Sequence, residues 1–265
     1  MTDQLVPPQF TAEGANLLTA VGRGDVAPNI IIAVRDPLGF DEDAATQISR
    51  RLDDVRQIAD TGMFITYTGT YKGVPVTVCS TGSGAPDTEI AFAELVDAAG
   101  TRATVLRVGT SGSAAQGVSV GDLVLTTAAV RSEGTTDAYV PKEYPAVADF
   151  GVVQALAAAA RAIEAPHHLG ITRSTDSIYA GQGREVLGFR APGLEEIPGF
   201  WSGVGVLNYE RETSLILTLA SVLGHRGGSV CSVVNSAVSG HLDAGAGVNE
   251  AITVALEAFV LLEQG

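Results

Sequence analysis

Positive charge is scarce in this chain. Its 265 residues carry 16 Lys and Arg against 30 Asp and Glu, a formal net charge of −14. Such a surface repels phosphate backbones, which excludes a nucleic-acid binder. A small anionic ligand is admissible where a local cluster of arginines overrides the global field. Cysteine is scarce too: Cys79 and Cys231 lie in Val-rich runs and read as buried, reduced thiols, with no disulfide framework. Met1–Phe10 lacks a basic region followed by an apolar stretch, so no secretory signal is read there. Long apolar runs are missing: Leu215–Leu223 is too short to span a bilayer, and Glu257 interrupts the C-terminal run. These features predict a soluble, cytoplasmic protein with no membrane partner. His167, His168, His225 and His241 have no metal-ligand spacing; they read as surface residues, and no metal is expected.

Apolar residues, by contrast, make up 46% of the chain and charged ones 17%, enough for a large core and too apolar for disorder. The length fits one α/β domain, and no linker or low-complexity segment divides it. Residues 1–265 are read as a single domain, with 1–16 a loosely ordered N-terminal arm. The run Asn29–Val34 is a buried strand, Asp41–Ile58 a helix capped by Asp41, and Met63–Thr70 with Val74–Ser80 a hairpin around Lys72-Gly73. A helix over Asp87–Ala99 stops at Gly100. Strands follow at Ala103–Val108 and Asp122–Arg131, a helix at Asp149–Ala165 and a strand at His168–Ser177. The chain closes with a helix over Glu212–Gly224, a strand over Ser229–Asn235 and a helix over Val248–Leu262. This alternation predicts an α/β fold with a mixed central β-sheet flanked by helices.

Ligands of such sheets sit at the carboxyl ends of strands, so the residues just after each strand are the candidates. They include Arg35-Asp36-Pro37, Thr81-Gly82-Ser83-Gly84, the polar turn Gly109-Thr110-Ser111-Gly112, Gly181-Gln182-Gly183-Arg184 and Asn208-Tyr209-Glu210-Arg211-Glu212, which opens a helix. The Gly-rich turns either cradle an anion on their N–H groups or are plain tight turns. Neither a Walker loop nor a dinucleotide fingerprint is present, and Gly109-Thr110-Ser111-Gly112-Ser113 lacks the last glycine of a nucleophile elbow. Arg107 stands inside an apolar strand, where a guanidinium needs a partner: a structural ion pair or a ligand. Tyr209, at a helix start, reads as a packing residue.

Taken in order, several segments resemble uridine phosphorylases of the nucleoside phosphorylase family, over roughly Asn29 to the C-terminus. Thr81–Pro86 resembles its Gly-rich turn and Leu106–Gly112 its phosphate motif. Val120–Arg131 and Tyr144–Phe150 match the segments that follow. Tyr179–Arg184 is similar to the uracil-reading loop and Asn208–Glu212 to the ribose motif. The resemblance implies phosphorolysis of a pyrimidine nucleoside, with inorganic phosphate as co-substrate and no cofactor. It implies that Arg107, Gln182 and Arg184 act in catalysis, that Gln182 and Arg184 read the base, and that Glu212 accepts the ribose hydroxyls. It implies that Arg107 and Thr110 hold phosphate, and Arg35, which departs from the family pattern, is expected to join them. Ser111, Gly112, Tyr209, Glu210 and Arg211 complete the substrate site, and a homo-oligomer, dimer or hexamer, is expected from the apolar residues of Leu215–Leu223 and Phe259–Leu262.

The departures are as informative. The family's phosphate-binding Arg after the first strand is Gly39 here, and its glycine near phosphate is Arg35. An Arg lent by the neighbouring subunit falls on Gly62, the ribose-facing Met is Arg211, an Arg supporting the base carbonyl falls near Ser236, and the N-terminal His has no counterpart in Met1–Asn16. Three readings follow: phosphorolysis with Arg35 as replacement ligand, a hydrolase or transferase acting on an acidic nucleoside or nucleotide, or a silent nucleoside-binding homologue.

Overall fold

The apolar run at 29–34 is short and rich in β-branched residues, which suits a buried strand flanked on both sides better than a helix. In the computed structural model of the chain, which describes residues 11–264 apart from Glu13, it lies inside a ten-stranded mixed sheet. A separate two-stranded ladder, β1 (Thr11–Ala12) with β2 (Ala15–Asn16), precedes it; most of the expected arm over 1–16 lies outside the described residues. The sheet takes β3 (Asn29–Val34), β4 (Asp53–Asp60), β5 (Ile65–Tyr71), β6 (Val74–Thr81), β7 (Thr104–Ser113) and β8 (Leu123–Ser132). It is completed by β9 (Ala146–Val147), β10 (His167–Thr175), β11 (Val206–Glu210) and β12 (Arg226–Ser236). The helices are α1 (Ala44–Ser49), α2 (Ala85–Ala99), α3 (Phe150–Ala162), α4 (Ile197–Gly203), α5 (Thr213–Leu223) and α6 (Val248–Gln264).

Strand order is β11-β10-β8-β12-β7-β3-β6-β5-β4, with β9 beside β8. The pairs β3–β6, β3–β7, β7–β12, β8–β10 and β10–β11 are parallel, and the hairpins β4–β5–β6 antiparallel. One further pairing, Tyr209 of β11 opposite Gly112 of β7, closes β7, β12, β8, β10 and β11 into a ring. Alternation along β3 divides the core. Ile31 faces a cluster with Ile48, Leu156, Ile252 and Phe259, from α1, α3 and α6. Ile30 and Ile32 face Phe92, Leu95, Leu215 and Ile216, from α2 and α5. Each such side chain, fully buried, contributes roughly 1.5–3 kcal/mol. Asp149 caps α3 by accepting from the Val152 N–H at 3.0 Å, and Gly100 ends α2 in the left-handed conformation, at φ 63°.

Several expected elements are revised. The helix over Asp41–Ile58 shrinks to α1, capped by Asp43 and not by Asp41. Its second half is β4, an exposed edge strand whose polar residues imitate the solvent face of a helix. Gly109–Gly112 is no turn: β7 runs through it, hydrogen-bonded to Cys231–Asn235 of β12. Asn208–Glu210 ends β11, and the helix begins at Thr213; α4 was not expected. His167, His168 and His225 are half-buried, and only His241 is exposed. The His225 Nδ1 accepts from the Ala103 N–H at 3.0 Å, and burial, helped by Arg102, lowers its pKa. Leu215, Leu217, Leu219 and Phe259 lie in the subunit's own core, so they leave little surface for an interface.

Candidate active site

A cavity of about 340 Å³ opens where β3, β6, β7, β10 and β11 end. Arg35, Arg107, Thr110, Ser111, Gly112, Gln182, Arg184, Tyr209, Glu210, Arg211 and Glu212 all line it, so every residue nominated from the sequence borders one cavity. A smaller cavity of about 170 Å³ shares Gly112, Gln182, Arg184 and Tyr209 with it.

The floor is a buried charge cluster. Arg107, 2% exposed, reaches Glu212 Oε2 at 2.7 Å through one terminal nitrogen and at 3.0 Å through Nε, with Glu210 Oε2 at 3.4 Å. The guanidinium also donates to the Val108 carbonyl at 2.7 Å. It bends over Gly109, where an added Cβ would sit 1.9 Å from it, so only glycine leaves room. Burial works against the Arg107 charge, but Glu212 and Glu210 hold its pKa above the ordinary value. Burial pushes the Glu212 carboxyl above the usual carboxylate range; Arg107 pulls it back, and Glu210 raises it further. Glu212 Oε1 accepts from the Gly84 N–H at 2.6 Å. The Gly-rich turn before α2 thus presents its amide to the protein's own carboxylate. Glu210 accepts from the N–H groups of Glu212 and Thr213, both at 2.8 Å, and from the Ser174 hydroxyl. The ion-pair reading of Arg107 therefore holds geometrically while its side chain still lines the cavity.

Beside the floor lies a second group. Thr110 donates its hydroxyl to Asp36, a lining residue of the strand-end segment Arg35-Asp36-Pro37 to which the sequence reading gave no role. Arg35 pairs with Asp43 Oδ2 at 2.9 Å and donates to the Gly62 carbonyl at 2.5 Å. Its remaining nitrogen is buried without a hydrogen-bond partner among the described residues. Gly39 packs on Thr110: a Cβ there would come within 2.4 Å of the Thr110 methyl. No side chain fits at 39 in this packing, and Arg35 reaches the other substituted position, Gly62. Ser111 is committed to the Ser232 carbonyl, at 3.0 Å.

The opposite wall is a loop. Chain leaving β10 turns through Ala180–Gln182, and the Tyr179 carbonyl accepts from the N–H groups of Gln182 (2.9 Å) and Arg184 (3.0 Å). The Gln182 and Arg184 side chains face the cavity with no hydrogen bond to other described residues. Arg211 donates to Ser83 Oγ and to the Asp176 carbonyl, each at 2.9 Å, while its buried Nε has no partner among the described residues. It bridges the Gly-rich turn and the segment after β10, packed against Gly84. Tyr209 is buried and donates to the Pro198 carbonyl at 3.2 Å, a packing role as expected, although its ring also lines the cavity. Burial raises its pKa.

The sequence signature of the phosphorylase superfamily matches residues 29–260. The chain belongs to that family. A uridine phosphorylase of Thermococcus kodakarensis is 41% identical over 255 residues, covering 96% of this chain and 89% of that one. A uridine phosphorylase of Escherichia coli is 40% identical over 201 residues, 73% of this chain and 77% of its own. A guanosine phosphorylase of Halorubrum lacusprofundi is 32% identical over 221 residues, 83% of each chain. Family membership accounts for the mixed sheet and for the cavity at the strand ends. Asp36, Ser83 and Asn235, all at strand ends, line the cavity too, although the sequence reading gave none of them a role of its own.

Proposed function

We propose that the protein cleaves the N-glycosidic bond of a pyrimidine nucleoside, uridine first, with inorganic phosphate, giving free base and ribose 1-phosphate. It is a pentosyltransferase. The observation that carries this is the gathering of Gln182, Arg184, Thr110, Arg35, Arg107 and Glu212 around one cavity, in a chain whose relatives include uridine phosphorylases. These relatives disfavour a hydrolase on an acidic nucleoside and a silent binding protein.

In the reaction a phosphate oxygen bonds to C1′ as the C1′–N1 bond breaks, and the electron pair leaves with the base. Gln182 and Arg184, free of side-chain partners among the described residues, meet the base carbonyls and ring N–H and spread the negative charge that develops there. Glu212 has lone pairs left beyond Arg107 and Gly84, and these accept the ribose hydroxyls. Its carboxylate also faces the positive charge growing on the sugar. Arg35 offers its unpaired nitrogen to phosphate, and Thr110 exchanges Asp36 for a phosphate oxygen. Catalysis is positioning and electrostatics, with no protein nucleophile and no cofactor.

The deciding experiment incubates the protein with uridine, with and without inorganic phosphate, and follows uracil. Phosphate-dependent release is the expected result; release without phosphate, or none, overturns the reading. We further place the protein in the cytoplasm, in pyrimidine salvage, as a dimer or hexamer. No helix among the described residues is long and apolar enough to cross a membrane. The apolar surface that supports an oligomer is not in Leu215–Leu223 but in Phe150, Phe189 and Phe200, which are 75%, 69% and 59% exposed. Sedimentation velocity tests the subunit number.

A further inference from the structure

Arg173 is buried on β10, beside Val130 of β8 and Tyr209 of β11. Unlike Arg107, it meets only neutral groups among the described residues. Its Nε donates to Ser132 Oγ at 3.1 Å, a terminal nitrogen donates to the Gly181 carbonyl, and the guanidinium lies 4.7 Å from the centre of the Trp201 ring. Burial lowers its pKa, the signature of a charge held without an acid. An ion pair therefore does not explain why an arginine stands there.

Its hydrogen bond does. The Gly181 carbonyl and the Gln182 N–H belong to one planar peptide unit. Arg173 pins the oxygen of that unit, and the Tyr179 carbonyl pins its N–H. With both ends held, the plane resists rotation, and the point from which the Gln182 side chain departs is fixed. The loop is also wedged. A Cβ at Gly181 would lie 2.5 Å from Thr175 Oγ1, and Gly183, at φ +81°, rests against Pro198 of the same short helix that carries Trp201. The Arg173 guanidinium touches strand, loop and helix at once.

We propose that Arg173 is a positioning residue for base recognition, holding the 181–182 peptide so that Gln182 and Arg184 meet the base in a single orientation. This rests on the pyrimidine-nucleoside reading above. The test compares wild type, Arg173→Met, Gln182→Ala and the double variant in uridine phosphorolysis, with urea unfolding as a check of the fold. Arg173→Met is expected to lower kcat/KM for uridine by about 10- to 100-fold, as misplacement of a recognition group does. The KM for phosphate stays unchanged, and the loss largely disappears in the Gln182→Ala background, because the two act through one contact. If Arg173→Met does not fold, Arg173→Lys, which keeps the charge but not the planar fork, shows the same pattern at smaller size. An unchanged kcat/KM for uridine, an equal loss in both backgrounds, or a matching rise in the phosphate KM overturns the proposal. Wild type without phosphate-dependent uracil release overturns the underlying reading and this inference with it; an active wild type with one of those variant outcomes overturns this inference alone.

Discussion

The two sides of the cavity are built on opposite principles. On the side proposed for phosphate and ribose each functional group already has a partner of its own: Arg107 has Glu212, Arg35 has Asp43 and Thr110 has Asp36. On the side proposed for the base Gln182 and Arg184 have none among the described residues, and it is the backbone beneath them that is fastened. The first arrangement keeps buried charge satisfied when no ligand is bound, and ligand groups must displace or share protein contacts. The second leaves recognition groups free and fixes only the point from which they depart. An acidic chain with few cations can bind phosphate this way, since its carboxylates hold the arginines in place until phosphate arrives.

The sharpest way to break this contrast is at the floor. Glu212→Ala leaves Arg107 buried with the Val108 carbonyl and only the longer contact to an acid, Glu210, so a loss of about 3 kcal/mol in urea unfolding is expected, together with loss of turnover. Gln182→Ala should do the reverse: kcat/KM for uridine falls by about 10²-fold, while the unfolding midpoint does not move. Arg35→Met comes next. It is expected to raise the phosphate KM about tenfold, the equivalent of 1.4 kcal/mol, and to leave the uridine KM alone; a lower phosphate KM shows instead that Arg35 blocks the site. Proton binding sharpens the contrast further. Because burial raises the Glu212 pKa, its carboxylate is lost, as pH falls, at a higher pH than an ordinary glutamate would be. The acid limb of kcat/KM should lie above the usual carboxylate range and change in Glu212→Gln. The smallest effect is at Asp36→Asn, which removes a negative charge from the Thr110 hydroxyl and should lower the phosphate KM about two- to threefold, as a half-exposed charge allows.

The strands of the central sheet were legible because continuous apolar runs such as Asn29–Val34 and Val74–Ser80 have few other uses. The edge strand β4 was not, since polar residues facing water carry no period that separates a strand from a helix surface. Glycine and threonine at 109–112 suggested a turn, although their small size is what lets β7 continue past the folded-back Arg107. The site's lining was legible through ordered motifs, but its wiring was not. Nothing local indicates that the Gly84 amide serves Glu212, or that Asp36 holds Thr110. Arg173 carried the signal that drew attention to Arg107, a charge inside a strand, but Thr172 and Ser174 beside it blurred the contrast.

The bond from Gly84 to Glu212 spans 128 residues, and that from Arg107 to Glu212 spans 105. A chain emerging from the ribosome has therefore made its Gly-rich turn and its strand arginine long before the acid that completes them exists. Until β11 arrives and closes the ring against Gly112, Arg107 is a charge on an unfinished sheet, held in water. The last third of the chain thus sets the moment at which the core can dry, and folding and assembly of the site become a single late event.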